Sequence, residues 1–426
     1  MRIVRVGLLG CGNIGCGVFH LLNEMKQELV HREGYELKVC RALVRSLNRK
    51  RPDEIPQEIL TDDPAQVLDA PDIDLVVEVM GGEQPATDYM VRALKNGKTV
   101  VTANKMALAL NWYLLQQAAV EGKAGLFYEA AVGGAMPVMN VLNHSLQANR
   151  IDRLAAIING TTNYILTGMA EEGMEYETAL RKAQQLGYAE PDPTADVEGY
   201  DAMYKLSILA SLAFHAHIPV SCIAREGLTH ITGLDIAGAR EFGYQIKLLA
   251  IAAREGDTVD ARVSPSLIPA NHPLASVRGA FNAVYLHGHA CGDMMVYGRG
   301  AGSAPTASAI VSDCLAAVDS DKPYYPTFKN TDNALAVPLH MADNRKSAFY
   351  LRVSAKDTPG VLSHVTGCLS EAGISVCTIS QKEPKADSAA QIMLVTHPAY
   401  EQDMKRALEK LDARYAAVQN LLFVEE

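Results

Sequence analysis

The period of apolar and polar positions changes along the chain. Residues 3–9 form a continuous apolar run apart from Arg5, which predicts a buried strand. Ile14, Val18, Leu21, Leu22, Met25 and Leu29 then recur at three- and four-residue spacing, which predicts an amphipathic helix ending at Gly34. Residues 37–44 and 73–79 (IDLVVEV) read as further strands. A helix reaching Asn96 and Gly97, the strand KTVVT, a helix from Lys105 and the short strand GLFYE complete the series. Strands alternating with helices predict a parallel sheet covered on both faces, so residues 1–128 are expected to form a Rossmann-type, doubly wound α/β domain.

From about residue 130 to 320 the alternation is lost. IDRLAAII, YQIKLLAIAA and FNAVYLHG read as strands, the segments after Thr161 and Glu175 as helices, and residues 198–217 as one long helix. This predicts a mixed α+β region over 129–325. SDKPYYPTFKNTDN carries two prolines among polar residues and reads as a linker, taken over 326–346. Residues 347–426 follow a strand–helix–strand–strand–helix–strand order, which is ferredoxin-like. The expected fold class is therefore α/β with three parts.

Composition narrows the partners. The chain has 426 residues, 48% of them hydrophobic, and a net charge of −10. That is enough for two or three domains with cores of their own. Lys and Arg form no basic stripe, which argues against a nucleic-acid ligand. Eight cysteines are spread without a CxxC pair and read as reduced thiols of a cytoplasmic protein. The N-terminus enters a strand directly, without a signal-peptide pattern, and no apolar run is long enough to predict a membrane span.

Chemistry is concentrated in a few stretches. In GLLGCGNIGCG, Gly10, Gly12 and Gly15 match G-x-G-x-x-G between a buried strand and an amphipathic helix. That context marks a dinucleotide loop formed by Gly10, Cys11, Gly12, Asn13, Ile14 and Gly15. The first glycine permits the turn, the second admits the pyrophosphate, and the third allows close packing. The second strand ends RALVRSLNRK with no acid to hold a ribose 2′-hydroxyl. Arg45, rather than Arg41, is the better partner for a 2′-phosphate, which favours NADP and leaves NAD open. Lys105 in TANKM starts a helix after a parallel strand and is expected near the nicotinamide or the substrate. EVMGG (Gly81, Gly82) holds the equivalent place one strand earlier.

The most charged stretch is EPDPTADVEGYDAMYK, where Glu190, Asp192, Asp196, Glu198 and Asp201 precede a single cation, Lys205. The prolines exclude helix at their predecessors. Asp196 is expected to cap a helix carrying Glu198, Asp201 and Lys205, the last two four apart and on one face. Glu190 would fold over that face, making a pocket with anionic walls and one cation. Such a pocket suits a zwitterionic amino acid with a reducible carbonyl, the lysine giving the proton during hydride transfer. On spacing alone, a salt bridge in an exposed acidic loop is the simpler reading. HGHAC (His287, His289, Cys291) is expected to be structural, its side chains alternating along a strand.

Residues 183–205, with GCGNIG, TANK, YEAAVGGAMP and NGTTNYIL, resemble the homoserine dehydrogenase family. The resemblance covers essentially the whole chain. It implies reversible NAD(P)-linked interconversion of L-aspartate 4-semialdehyde and L-homoserine, on the route to threonine, methionine and isoleucine. It carries the proton-donor role to Lys205, with Lys105 as the second candidate, and substrate binding to Glu190 and Asp201. It implies a structural sodium or similar cation at Glu129, Val132, Gly134 and Met136. It also implies that residues 129–325 hold the catalytic and dimerisation domain, and that about 300–320 return to complete the first domain. The C-terminal stretch KDTPGVLSHVTGCLSEAGI resembles an ACT module. Asp357, Pro359 and Gly360 are its expected effector residues, threonine the expected effector, and a homodimer or homotetramer the expected assembly. Two other functions stay open: a non-catalytic nucleotide and amino-acid sensor, and a reductase for a different amino-acid aldehyde.

Overall fold

The computed structural model describes residues 2–319, 339–382, 389–412 and 414–425. Of the linker expected over 326–346, residues 326–338 lie outside them, while His340–Met341 forms a short strand paired in parallel with Thr258 and Val259. The chain divides into two units. One takes in residues 1–152, 204–223 and 282–337 where described, and the other residues 153–203, 224–281 and 338–426 where described.

In the first unit six strands form a parallel sheet in the order Leu60–Thr61, Tyr35–Leu43, Arg2–Leu9, Leu75–Glu78, Thr99–Thr102, Leu126–Phe127. This is the doubly wound order, with its reversal beside the first strand. Val6, Leu8, Val76, Val77, Val100 and Val101 are fully buried, as strands covered on both faces require. The helix Asn13–Glu24 packs against the helix Ser303–Asp319, and the Ser303 hydroxyl donates to the Asn13 carbonyl at 2.8 Å. Gly17 makes this approach possible, since a Cβ there would lie 2.3 Å from Ser303 Oγ.

The second unit is built on a mixed sheet in which Ile151–Ile157, Tyr244–Glu255 and Thr258–Pro269 are neighbours. Helices Gly160–Glu171, Tyr176–Gln185 and Gly233–Glu241 belong to the same unit. The C-terminal module keeps the ferredoxin-like strand order: Ala416–Val424, Lys346–Ala355, Ala390–Thr396, Val376–Lys382. It has its own core of Phe349, Leu351, Val353, Val365, Leu369, Ile392, Leu394 and Met404. Its sheet nevertheless continues into the middle of the chain, because Ser266 and Leu267 pair in parallel with Phe423 and Val424.

Two local expectations are corrected. Asp196 does not cap the long helix. It sits in a separate turn, Thr194–Val197, and the long helix runs Tyr200–Phe214, because Gly199 takes a left-handed φ of 79° between the two. HGHAC is not strand throughout, since the strand Phe281–Gly288 ends before His289. His289 Nδ1 accepts the Arg150 N–H at 2.9 Å, and His287 Nδ1 lies 2.7 Å from Asp293 Oδ1. The strands Thr258–Pro269 and Gly292–Arg299, which the apolar pattern did not single out, are both present.

Candidate active site

The glycine turn has the shape a pyrophosphate needs. Gly10 adopts φ 102°, and a Cβ there would meet the Val79 carbonyl oxygen at 3.0 Å. A Cβ on Gly15 would lie 2.3 Å from the Gly10 carbonyl oxygen, so only glycine lets this helix close on the turn. Around Gly12 there is open space within 4 Å. Asn13 and Ile14 begin the helix, where unpaired N–H groups favour an anion. Cys11 is buried in the turn and its Sγ lies 3.8 Å from Cys16 Sγ. These residues fit a bound dinucleotide.

Beyond the second strand, Arg41 pairs with Asp72 at 2.8 Å, while Arg45 is exposed. Arg51, which the sequence reading passed over, donates to the carbonyls of Cys11 (3.2 Å), Arg49 (2.9 Å) and Ser46 (3.1 Å). It braces the segment after Arg45 against the glycine turn.

At the carboxyl ends of the next two strands a buried network is organised by Glu78. Its carboxylate accepts from Thr102 Oγ1 at 2.6 Å, from the Met80 N–H at 2.8 Å and from Asn104 Nδ2 at 3.4 Å. Burial pushes this carboxyl above the ordinary range, and the hydrogen bonds from Thr102, Met80 and Asn104 pull it back. Asn104 also donates to the Gly82 carbonyl at 2.7 Å and caps the helix Lys105–Leu110 by accepting from the Ala107 N–H. Lys105 is thereby held, half-buried, at the first position of that helix. Glu78 could have been singled out as an acid following the apolar run Leu75–Val77 near the carboxyl end of a strand buried on both faces.

The turn after the last strand of this sheet places Glu129 in a buried position. Its carboxylate accepts from the N–H groups of Met139 (2.8 Å) and Asn140 (2.9 Å) and from Asn140 Nδ2 (2.5 Å). Its own N–H donates to Asp313 at 2.8 Å. Burial pushes the Glu129 carboxyl up to about 7 and that of Asp313 up to about 8. Between Val132 and Met136 the backbone reverses through Gly133 (φ 83°) and Gly134 (φ 57°), and a Cβ on Gly134 would lie 2.8 Å from the Arg299 carbonyl oxygen.

The five carboxylates before Lys205 have separate fates. Asp192 is spent on Thr194, accepting from its N–H at 3.1 Å and its hydroxyl at 2.6 Å, which together hold it below the ordinary carboxylate range. Glu198 pairs with Arg225 at 3.6 Å. Asp196 and Asp201 come together on one side chain, since Asn159 Nδ2 donates to both, at 2.7 and 2.9 Å. Glu190 is exposed on its loop, which the Gln184 side chain holds through the Glu190 and Pro191 carbonyls. Asp201 and Lys205 stand one turn apart on the helix Tyr200–Phe214, at 6% and 7% exposure. Two buried, opposite charges one turn apart are not the exposed salt bridge that spacing alone suggested. Asn159, the first residue of NGTTNYIL, is a site residue that the motif alone does not assign. The signal available was an asparagine ahead of an apolar helix.

In the C-terminal module, Asp357, Pro359 and Gly360 lie exposed where the strand Lys346–Ala355 meets the helix Val361–Glu371. Gly360 caps that helix with φ 93°, a left-handed conformation that favours glycine.

Comparison with known proteins bears on the family. Residues 10–129 match the family model described as homoserine dehydrogenase, NAD binding domain, residues 137–315 match that of homoserine dehydrogenase, and residues 349–414 match the ACT domain. The homoserine dehydrogenase of Bacillus subtilis is 39% identical over 419 residues, covering 97% of this chain and 95% of the relative. The crystal structure of a homoserine dehydrogenase from Thiobacillus denitrificans superposes with a TM-score of 0.93 at 39% identity, covering 100% of this chain and 99% of that one. A hyperthermophilic archaeal homoserine dehydrogenase, solved in complex with NADPH, covers 76% of this chain and 100% of its own at 25% identity and a TM-score of 0.65. No helix among the described residues is long and apolar enough to cross a membrane. The family models follow one another along this chain, the Bacillus and Thiobacillus proteins match nearly its whole length, and the chain belongs to the homoserine dehydrogenase family of NAD(P)-dependent oxidoreductases.

Proposed function

We propose that the enzyme interconverts L-aspartate 4-semialdehyde and L-homoserine reversibly, with NADP(H) preferred, in the cytoplasmic synthesis of threonine, methionine and isoleucine. The observation that carries this reading is the placement of Asp201 and Lys205, both buried, one turn apart on one helix. The bound nicotinamide supplies the hydride to the aldehyde carbon. Asp201, with Glu190 closing from its loop, holds the substrate ammonium. Lys205 Nζ gives a proton to the aldehyde oxygen as it gains charge, and takes it back in the oxidative direction. Lys105 orients cofactor and substrate and is the alternative donor. Arg45 faces the 2′-phosphate, in keeping with the absence of an acid there and with the NADPH-bound archaeal relative. The test follows NADPH oxidation with aspartate semialdehyde. Turnover that is faster than with NADH is expected, and no turnover with either cofactor would remove the reading.

Regulation belongs to the same proposal. Threonine at Asp357, Pro359 and Gly360 would inhibit, its carboxylate received by exposed N–H groups at the helix start. The same assay with added threonine reads this directly. The chain is proposed to act as a homodimer or homotetramer, with the domains divided near residues 128 and 346.

Glu129 with the carbonyls of Val132, Gly134 and Met136 is proposed to hold a structural sodium ion. Three N–H donors occupy most of the roughly four acceptor positions of a carboxylate, which leaves room for one further contact. An ion there would offset the burial that raises Glu129 and Asp313. The sign of the linkage gives a prediction. A carboxyl with a raised folded pKa stabilises the fold at low pH, and that stability is lost as pH rises through about 7 to 8. A cation takes the proton's place once the carboxyls are ionised, above that range. Sodium is expected to raise the thermal midpoint at pH above 8 and to do little near pH 5, and Glu129→Gln to abolish the difference. A sodium response independent of pH, or one that survives Glu129→Gln, would exclude the site.

A further inference from the structure

We infer that Asn159 is a positioning residue for substrate recognition: its amide sets the carboxylates of Asp196 and Asp201 side by side to receive the ammonium of the amino-acid substrate. This rests on the reading of Asp201 as an ammonium-binding group.

Asn159 is 5% exposed and lies between the strand Ile151–Ile157 and the helix Gly160–Glu171. Its Oδ1 accepts the Thr162 N–H at 2.9 Å, capping that helix, while Nδ2 donates to Asp196 Oδ1 and Asp201 Oδ2. The amide orientation follows from the neighbours. Reversed, it would turn N–H toward N–H and oxygen toward two carboxylates. Two carboxylates brought to one point repel each other, and a cation relieves that repulsion. A substrate ammonium, with three donors, matches the chemistry of two acids held in this way.

The platform beneath Asn159 is rigid. One turn along the helix, Asn163 Nδ2 donates to the carbonyls of Gly279 (2.9 Å), Phe281 (3.1 Å) and Val277 (3.3 Å). Asn163 Oδ1 accepts from the buried Lys247 ammonium at 3.0 Å, which also donates to the Val277 carbonyl at 2.6 Å. Gly160 packs so closely that a Cβ would lie 2.8 Å from the Ala280 carbonyl oxygen. A donor fixed by backbone and buried side chains sets the two acids within the tolerance a binding site needs.

Two substitutions separate positioning from capping. Asn159→Ser keeps a cap oxygen but is too short to reach either carboxylate, whereas Asn159→Ala loses both functions. In the full-length enzyme with saturating NADP, both variants are expected to raise KM for homoserine on the order of tenfold, the value of a hydrogen bond to a charged group. KM for NADP should stay unchanged, and only Asn159→Ala should lower the thermal midpoint. If Asn159 were a cap alone, Asn159→Ser would behave as wild type, and that result overturns the inference. Asp201→Asn, measured in parallel, separates the two levels. A raised KM there with wild-type KM in Asn159→Ser removes only the positioning role. A wild-type KM in Asp201→Asn removes the ammonium-site reading, and this inference with it.

Discussion

Replacing Lys205, the proposed proton donor, by methionine will lower kcat by about 10²–10⁴-fold, the usual contribution of a positioned donor. The Michaelis constant for NADP is expected to hold. The substitution keeps most of the side-chain volume and removes only the ammonium, so a folding defect is not the expected cause. Lys205 is 7% exposed, and water has little access to take over the proton transfer. The parallel variant Lys105→Met should raise the Michaelis constants of cofactor and substrate and leave a larger residual kcat. If Lys205→Met turns over at the wild-type rate while Lys105→Met does not, the proton comes from Lys105 and the two roles exchange.

Replacing Arg352 by methionine will destabilise the protein by about 3–5 kcal/mol, because it leaves a buried carboxylate uncompensated. Arg352, on the strand Lys346–Ala355 of the ACT module, meets Asp235 on the helix Gly233–Glu241 through Nε at 2.6 Å and Nη2 at 3.0 Å. The two residues are 5% and 0% exposed. Asp235 also closes a capping box with Thr232, accepting its N–H at 3.0 Å and its hydroxyl at 2.7 Å. A thermal midpoint lower by roughly 5–15 °C is the expected reading. The double variant Arg352→Met with Asp235→Asn should recover much of the loss, because it removes both charges together. Additive losses in the double variant would show that the pair does not couple. The ACT module is thus fastened to the catalytic layer by a buried ion pair and by shared strand pairing, not only by the chain connecting them.

The acidic stretch shows where reading the sequence stops being sufficient. Proline placement and the four-residue interval between Asp201 and Lys205 were enough to put both on one helix. They were not enough to tell a pocket from an exposed salt bridge, because exposure depends on packing against residues far along the chain. Asp196, expected as a helix cap, instead faces Asn159, which is 37 residues away. Asp192 and Glu198 looked equivalent to it as charges, yet one serves a turn and the other an arginine. Arg51 was unremarkable beside Arg41 and Arg45 until three carbonyls converged on it.

What the amino-acid order determined by itself is local and periodic: the alternating strands and helices of the first domain, the glycine turn whose spacing only a close helix–strand contact can use, and the ferredoxin-like order of the C-terminal module. These depend on neighbours within one or two turns, where residue type and interval are the whole cause. Tertiary structure alone decided which carboxylates meet, which arginine braces the cofactor turn, and that the module's sheet continues into the catalytic one. Those outcomes depend on burial and on hydrogen-bond partners separated by tens to hundreds of residues, and no local interval encodes such a distance.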